Sequence, residues 1–316
     1  MIGYSSMINR QILGYFELTL AQFCIGVNII LGKILIDTIP MTSLLLFRFI
    51  IGFILMTLFL GLTHNITKQD FPKLTKYTVF LIFIQGLCGG FLFNIFTLWG
   101  LHYTTANAAG IINTAVPALV TLFSIWILKE VFNLQKGLAI TLSILGILVL
   151  SLGKTQTGQG LSSLLGIGLV TLAIIPEALF TIFAKLSKNP PSPWVTTALI
   201  NFFNILLLLP LLLFEPIFLL TDLNLKQGLQ ILLYGVSGGI GFFAFWYRGL
   251  KYVNANTAAL FMGIMPISTC LLAYIFLNEP MLITDYLGMF FVLISIVVGT
   301  YSFKRISSII KNESTD

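Results

Sequence analysis

Charged residues are scarce in this chain, and their scarcity excludes the commonest class of protein. Only 9% of the 316 residues are Asp, Glu, Lys or Arg, whereas 57% are hydrophobic. A water-soluble domain carries about 25% charged residues, which cover its surface. A chain with so few charges has too little polar surface for water, so the sequence indicates a protein that is surrounded by lipid.

Cysteine and histidine are also rare, which limits the available chemistry. Cys24, Cys88 and Cys270 lie singly inside apolar runs, so neither a disulfide framework nor a Cys-x-x-Cys metal pair is available. His64 and His102 lie in or near loops on opposite sides of the membrane, so they cannot share a metal ion. No His-Glu-x-x-His, Walker A or Gly-x-Ser-x-Gly motif occurs. We therefore expect no catalytic residues, no metal and no cofactor, and hence a protein that is not an enzyme.

Apolar runs of membrane-spanning length fill most of the chain instead. A helix of roughly 20 apolar residues crosses a ~30 Å hydrocarbon layer. The runs predict an all-α membrane protein with ten transmembrane helices, at residues 13–35, 42–62, 77–99, 106–128, 134–152, 164–186, 195–214, 229–247, 256–277 and 282–302.

The Lys and Arg residues are distributed unevenly around these helices. An even number of spans puts both termini on one side, and 13 Lys and Arg residues lie on that side. Only Lys33, Lys154 and Lys226 lie on the other side. Because positive residues concentrate in cytoplasmic loops, we expect both termini in the cytoplasm. The excess charge lies in short loops that flank the membrane, so we expect no nucleic-acid partner.

The sequence contains an internal repeat. Residues 86–130 recur as residues 235–279, at a shift of 149, with 15 identities in 45 ungapped positions. The repeated positions, numbered in the first copy, are Gly86, Gly89, Gly90, Phe93, Phe96, Gly100, Leu101, Tyr103, Ala106, Asn107, Ala109, Pro117, Leu122, Leu128 and Glu130. Apolar composition alone does not repeat Gly, Pro, Asn, Tyr and Glu in register.

The repeat predicts two units of five helices each. We expect the first unit at residues 1–153, a linker at 154–163, the second unit at 164–305 and a cytoplasmic tail at 306–316. Because five is odd, the second unit enters the membrane from the opposite side, and the two units form an inverted repeat. Secondary transporters use this architecture, since two similar halves give one conformation open to each side.

With this repeat, the chain resembles the ten-helix EamA family of the drug/metabolite transporter superfamily. The residues that carry the resemblance are Tyr103–Ala109 and Tyr252–Ala258, Pro117 and Pro266, Glu130 and Glu279, the pair Arg48–Phe49, and Lys33 and Lys185. The resemblance implies carrier activity across a bacterial inner membrane, often the export of amino acids or related metabolites. The family often has Gly before the repeated Glu, whereas this chain has Lys129 and Asn278, and we expect that difference to affect the local turn.

Two ionisable residues lie inside predicted spans. Such residues are costly in the bilayer and by default indicate a functional site. Glu177 follows Pro176, which removes a helical hydrogen bond, so we predict a kinked helix with a carboxyl group for proton coupling or cation recognition. The alternatives are a protonated or structurally paired carboxyl. Arg48 is a candidate for binding a substrate carboxylate, and its alternative is to extend to the lipid headgroups. We expect both side chains to face a central cavity.

Further polar and aromatic residues complete the candidate substrate site. They are Asn28, Asn94, Asn113, Asn201, Trp246 and Tyr247. For each asparagine the alternative is helix–helix hydrogen bonding, which is common in membrane bundles. Trp246 and Tyr247 have the alternative of an interfacial aromatic belt.

Glycine and proline recur at matched positions in the two halves. Gly86 and Gly90, like Gly235 and Gly239, form small-xxx-small pairs, which predict close helix packing. We expect helix kinks at Pro117, Pro176 and Pro266.

Together these patterns predict a secondary transporter for an amino acid or a related zwitterion or amine, with proton coupling as one option. A uniporter or channel-like facilitator, or a structural membrane subunit, is the alternative. The expected partners are a small-molecule substrate and the lipid bilayer, with a homodimer left open.

Overall fold

The computed structural model describes residues 2–63, 74–113, 115–127, 129, 134–156, 160–187, 190–214, 223–252, 261–262 and 264–300. Within these ranges the regular structure is entirely helical. In chain order the helices are α1 (Ile2–Leu35), α2 (Met41–Thr63), α3 (Lys76–Tyr103), α4 (Ala106–Asn113), α5 (Val116–Ile127), α6 (Leu134–Gln156), α7 (Gly160–Leu186), α8 (Pro193–Leu208), α9 (Leu225–Gly249), α10 (Ile264–Leu277) and α11 (Ile283–Thr300).

Within the described residues, seven segments are long and apolar enough to cross a membrane. They are Arg10–Leu35, Met41–Leu62, Lys76–Tyr103, Ala106–Ile127, Ser163–Ala184, Pro193–Leu213 and Leu225–Gly249. Three shorter apolar helices are Gly137–Val149, Ile264–Leu277 and Ile283–Ser295. The prediction of an all-helical membrane protein is therefore confirmed, while the count of ten spans stays a prediction. Part of the predicted ninth span, 256–277, lies outside the described residues.

Capping residues set the starts of three helices. The Thr75 side chain accepts a hydrogen bond from the Thr78 N–H at the start of α3. Ser192 caps α8 directly before Pro193, which suits the first helical position because it has no N–H to satisfy. Asn224 and Gln227 form a capping box at the start of α9. These caps begin the helices one to four residues before the predicted starts at 77, 195 and 229.

The glycine clusters of the repeat lie in or directly beside π-helical segments. Residues Gly86–Leu92 of α3 and Val236–Gly241 of α9 adopt this wider helix at equivalent places in the repeat. A π segment is rare and is frequent at functional sites. Glycine permits the close backbone approach found here, since a Cβ on Gly239 would lie 3.0 Å from the Gly52 Cα of α2.

The residue before each repeated Glu has a left-handed backbone. Lys129 has φ 56° and Asn278 has φ 51°. This conformation favours glycine and ends many helices. Both turns are therefore formed by residues for which this conformation costs more than it does for glycine, and the effect on the turn stays a prediction.

Helices of the first half pack mainly on helices of the second half, in exchanged pairs. α1 contacts α9, and correspondingly α7 contacts α3. α2 contacts α9, and α8 contacts α3. α1 contacts α10, while α7 contacts α4 and α5. Finally α2 packs on α8, and α6 packs on α11. Each of these contacts made by one half thus has its counterpart made by the other.

Polar contacts define the two ends of the bundle. At one end, here called the Lys33 end, the Lys33 ammonium donates to the carbonyls of Leu101 (2.5 Å) and Thr104 (3.0 Å). The Glu279 carboxylate accepts from two backbone N–H groups of α4, at 3.1 and 3.0 Å. At the opposite end, the Arg248 end, Arg248 forms an ion pair with Glu17 at 2.6 Å.

The predicted kinks have three different outcomes. The chain is non-helical at residue 115 between α4 and α5, and Pro117 is the second residue of α5. Pro176 lies inside the uninterrupted helix α7. Pro266 lies in the first turn of α10, where a missing N–H costs little.

The predicted linker at 154–163 is largely helical. α6 continues to Gln156 and α7 begins at Gly160, so residues 157–159 alone lie outside the described part of this segment.

Candidate functional site

Arg48 of α2 is held inside the bundle. Its side chain is 1% exposed, so it does not extend to the headgroups. The guanidinium donates to the side-chain oxygens of Asn28, at 2.9 Å, and Asn94. It also donates to the Gly238 carbonyl at 3.1 Å and lies 5.4 Å from the centre of the Tyr234 ring. These contacts connect α1, α2, α3 and α9 around one buried charge.

Three of the predicted asparagines bind the carbonyls of the π segments or their flanks. The Asn28 amide donates to Tyr234 O at 2.9 Å. The Asn94 amide donates to Gly90 O, and the Asn201 amide donates to Gly239 O at 2.7 Å. Carbonyl groups in a bilayer need such partners because no water is present. This geometry favours the structural alternative for these three residues.

Glu177 lines a narrow cavity between the halves, here called the Glu177 cavity. One carboxylate oxygen, Oε2, is buried and has no hydrogen-bond partner among the described residues. The cavity measures about 20 Å³, which is room for about one water molecule. Its lining residues are Gln22, Ile25, Phe93, Asn113, Val116, Glu177, Phe242, Met262 and Met265. Among the described residues of this lining, Glu177 is the one with a charged side chain.

Asn113 is the predicted asparagine that reaches this cavity. Its amide nitrogen donates to Ala109 O at 2.8 Å, one turn earlier, and its Oδ1 is buried without a partner in the described structure. Arg48 is absent from the lining, and no ion pair within 4 Å joins it to Glu177. The structure therefore places the two predicted charges apart, with the carboxylate alone facing the cavity.

The Glu177 cavity is lined by equivalent positions of the two halves. At the repeat shift of 149, three pairs of lining residues correspond: Phe93 with Phe242, Asn113 with Met262, and Val116 with Met265. The shift of 152 that relates Lys33 to Lys185 also relates Ile25 to Glu177. Two of these pairs join a polar residue to an apolar one, since Glu177 corresponds to Ile25 and Asn113 corresponds to Met262.

Tyr247 lines a second, larger cavity of about 160 Å³ nearer the Arg248 end. Its hydroxyl donates to the Gln85 side-chain oxygen at 2.5 Å. Trp246, by contrast, is 2% exposed and stacks on Phe242 with ring centres 6.1 Å apart. Such burial is incompatible with an interfacial belt for Trp246. The cation–π partner of Arg248 is Trp194, at 5.1 Å.

The predicted packing glycines lie at close contacts between helices. A Cβ on Gly86 would lie 3.3 Å from the Asn204 amide of α8, and one on Gly90 would overlap the same side chain. A Cβ on Gly235 would lie 2.7 Å from the Ile51 side chain of α2. Gly239 lies against Arg48 O and Gly52 of the same helix.

Some residues of the site were not singled out from the sequence. Gln22 and Gln85 are amides inside apolar runs, so the criterion that selected the asparagines would have found them. Phe93 and Phe242 are a repeated pair, and repetition was their signal. Glu17 is 3% exposed as a side chain and pairs with Arg248, a contact for which the sequence offers no signal.

Comparisons with known proteins identify the family of this chain. The model of the EamA-like transporter family matches residues 12–152 and again residues 164–301. The uncharacterized transporter YetK of Bacillus subtilis is 29% identical over 284 residues, which cover 89% of this chain and 85% of YetK. An uncharacterized transporter of Archaeoglobus fulgidus is 26% identical, over 79% of this chain and 85% of its own.

Similarity extends to more distant proteins. The WAT1-related protein At3g30340 of Arabidopsis thaliana is 22% identical over 92% of this chain and 87% of its own. A solved crystal structure aligns with a TM-score of 0.64 and 18% identity, over 94% of this chain and 98% of that chain. At this identity the likeness shows the fold alone.

Proposed function

Because the chain belongs to the EamA-like transporter family, we propose that it is a secondary transporter that works by alternating access. Its cargo is a small metabolite, an amino acid or a related zwitterion or amine. The membrane is the bacterial inner membrane, which the chain crosses ten times with both termini in the cytoplasm. The family model matches the chain twice, which supports the two-unit organisation.

The Glu177 cavity is the observation that carries this proposal. Alternating access requires a site at the contact between two similar units, so that each unit can close one side. Equivalent residues of both halves line this cavity, and it lies among the helices that pack in exchanged pairs. An inert structural subunit has no need for an unpartnered carboxylate there, since burying such a group is costly.

Proton coupling follows from the chemistry of Glu177. The carboxyl can be charged or neutral, and the described cavity lining offers it no cation. A cationic or zwitterionic substrate and a proton therefore compete for the same oxygens. Competition of this kind couples the two fluxes, because the carboxyl releases one ligand before it binds the other.

Transport in proteoliposomes tests the proposal. We expect uptake or efflux of at least one compound from a panel of amino acids, amines and nucleosides, and faster transport under a pH gradient. Glu177→Gln keeps the shape and removes the titratable group, so it should abolish the effect of the gradient. Thr181→Val is the matched control, because Thr181 lies one turn from Glu177 and its hydroxyl donates only to Glu177 O, at 3.3 Å.

The outcomes separate the alternatives. Transport that ignores the pH gradient in the unaltered protein would indicate a uniporter or facilitator. A protein that moves no compound of the panel under either condition would contradict the transporter assignment.

A further inference from the structure

The larger cavity near the Arg248 end has the features of a binding site. It lies between α3, α7, α8 and the end of α9 and measures about 160 Å³. Its lining residues are Ile82, Gln85, Ala184, Ser187, Pro190, Pro191, Pro193, Thr196, Tyr247, Leu250 and Lys251. Ligand sites are typically mainly apolar, with a few converging polar groups that fix orientation. This lining fits that description.

The polar groups of this cavity are buried or charged. Gln85 is 2% exposed and Thr196 is 3% exposed. Gln85 accepts from the Tyr247 hydroxyl, which leaves its amide N–H groups without a hydrogen-bond partner among the described residues. Among the described residues of the lining, Lys251 is the one that carries a charge, and no described residue pairs with it within 4 Å. The cavity therefore offers hydrogen-bond donors and one positive charge.

Phe180 separates this cavity from the Glu177 cavity. Along α7, Phe180 follows Glu177 by one turn and precedes Ala184 by another, so it lies between residues that line the two cavities. Its side chain is fully buried, at 0% exposure. Its ring centre lies 6.3 Å from that of Phe242, in the Glu177 cavity, and 6.3 Å from that of Tyr247, in the larger cavity.

A glycine of α3 completes this barrier. A Cβ on Gly89 would lie 2.7 Å from the Phe180 ring, so the ring packs directly on the π segment. On α3 the same order recurs, with Gln85 in the larger cavity, Gly89 at the ring and Phe93 in the Glu177 cavity. The two cavities are thus consecutive along one line between α3, α7 and α9.

We infer that the larger cavity is a second substrate site, which binds a small carboxylate with an apolar body. Lys251 pairs with the carboxylate, Gln85 donates to it, and the three prolines with Leu250 contact the apolar body. The cavity volume is below the roughly 300–1,000 Å³ of sites for drug-sized ligands, so the ligand has the size of an amino acid.

This inference rests on the proposed function and extends it to both charges of a zwitterion. The two charges are recognised in succession: Lys251 binds the carboxylate while the substrate occupies the larger cavity, and Glu177 binds the ammonium after the substrate has passed Phe180. Arg48, which carries three hydrogen bonds within the protein, takes no part in recognition.

Ligand-dependent thermal stabilisation of the purified full-length protein tests the inference. The probes are leucine, its deaminated analogue 4-methylpentanoate and its decarboxylated analogue 3-methylbutylamine. We expect leucine and 4-methylpentanoate to raise the unfolding temperature. Lys251→Gln should weaken both by about tenfold, the effect of losing one charge-assisted contact. Lys251→Arg should retain binding within a few-fold, since the charge is kept.

Lys226→Gln is the matched control for this experiment. It removes the same charge from the other end of α9, at an exposed position, and should leave both affinities unchanged. The inference is overturned if neither carboxylate stabilises the unaltered protein, or if Lys251→Gln binds them as the unaltered protein does. It is equally overturned if Lys251→Gln weakens the binding of 3-methylbutylamine as much as it weakens the binding of the two carboxylates.

The same measurements distinguish this inference from the proposed function. A protein that transports amines in proteoliposomes but binds no carboxylate retains the proposed function and loses the second site. A protein that binds carboxylates at Lys251 but transports no compound loses the proposed function.

Phe180→Ala should in addition raise downhill flux and reduce accumulation, and Phe180→Leu should do so less. Unchanged accumulation in a folded Phe180→Ala protein would remove Phe180 as the barrier.

Discussion

Replacing Glu177 by methionine should stabilise the protein while it removes proton-coupled transport. Methionine has nearly the shape of glutamate, so the packing against the neighbouring helices is kept. The substitution removes a carboxylate whose Oε2 is buried without a partner among the described residues. An unsatisfied buried polar group costs about 1–3 kcal/mol. We therefore expect the free energy of unfolding to rise by about that amount.

The same substitution at Glu17 is the matched control. Glu17 pairs with Arg248 at 2.6 Å, and its own side chain is 3% exposed. Glu17→Met leaves Arg248 without this partner, but Arg248 remains 35% exposed and lies over the Trp194 ring. Because water still reaches the guanidinium, we expect a loss of about 1–2 kcal/mol, less than for a fully buried pair.

Thermal unfolding in detergent, followed in parallel for the two variants, provides the measurement. The unfolding temperature should rise by a few degrees for Glu177→Met and fall for Glu17→Met, at about 2–4 °C per kcal/mol. Shifts of the same sign would refute the distinction between an unpartnered and a paired carboxylate. Retained dependence of transport on the pH gradient in Glu177→Met would refute the role of the carboxyl in coupling.

Three further substitutions test the buried network and the helix ends. Arg48→Lys keeps the charge, but a lysine cannot donate to Asn28, Asn94 and the π segment together. It should lower the free energy of unfolding by about 2–4 kcal/mol, and an unchanged unfolding temperature would contradict the network. Lys129→Gly removes the steric cost of the left-handed conformation, which is about 1–2 kcal/mol for a residue with a side chain. Glycine loses more backbone entropy on folding, which offsets part of this gain, so the free energy of unfolding should rise by up to about 1 kcal/mol. Asn278→Gly should have a smaller effect because asparagine tolerates this conformation, and an equal effect of the two would contradict the backbone explanation.

Hydropathy and the repeat predicted most of the fold. Where a long apolar run is bounded by charges or proline, the predicted helix ends agree with the described ones to within four residues, with two exceptions. α1 begins at Ile2 rather than at 13, and α8 ends at Leu208 rather than at 214. The π segments could not be predicted, because glycine in an apolar run is equally compatible with an α-helix. The helical parts of the linker at 154–163 were also missed, since polar residues can continue a helix beyond the bilayer into water.

The candidate site was predicted less completely. An ionisable residue in an apolar run indicates that the residue matters, but it does not tell whether the partner is substrate or protein. Glu177 lines a cavity, whereas Arg48, selected by the same criterion, binds two asparagines and a backbone carbonyl. Which of these applies depends on the rotation of each helix about its axis, and that rotation is set by tertiary packing. Phe180 gave no signal because it is one of 28 phenylalanines.

The Glu279 contact at the Lys33 end bears on the populations of the two states of a transport cycle. Its two charge-assisted hydrogen bonds to α4 are together worth about 3–6 kcal/mol, so a state that lacks them is disfavoured roughly 10²- to 10⁴-fold. A transport cycle would stop in the state that has these hydrogen bonds unless the other state formed an equally strong contact of its own. The repeat supplies the same residues again, with Glu130 in place of Glu279 and residues 255–256 in place of the start of α4. A carrier that exchanges one contact for the other keeps both states near equal free energy, so that a modest gradient suffices to drive it in either direction.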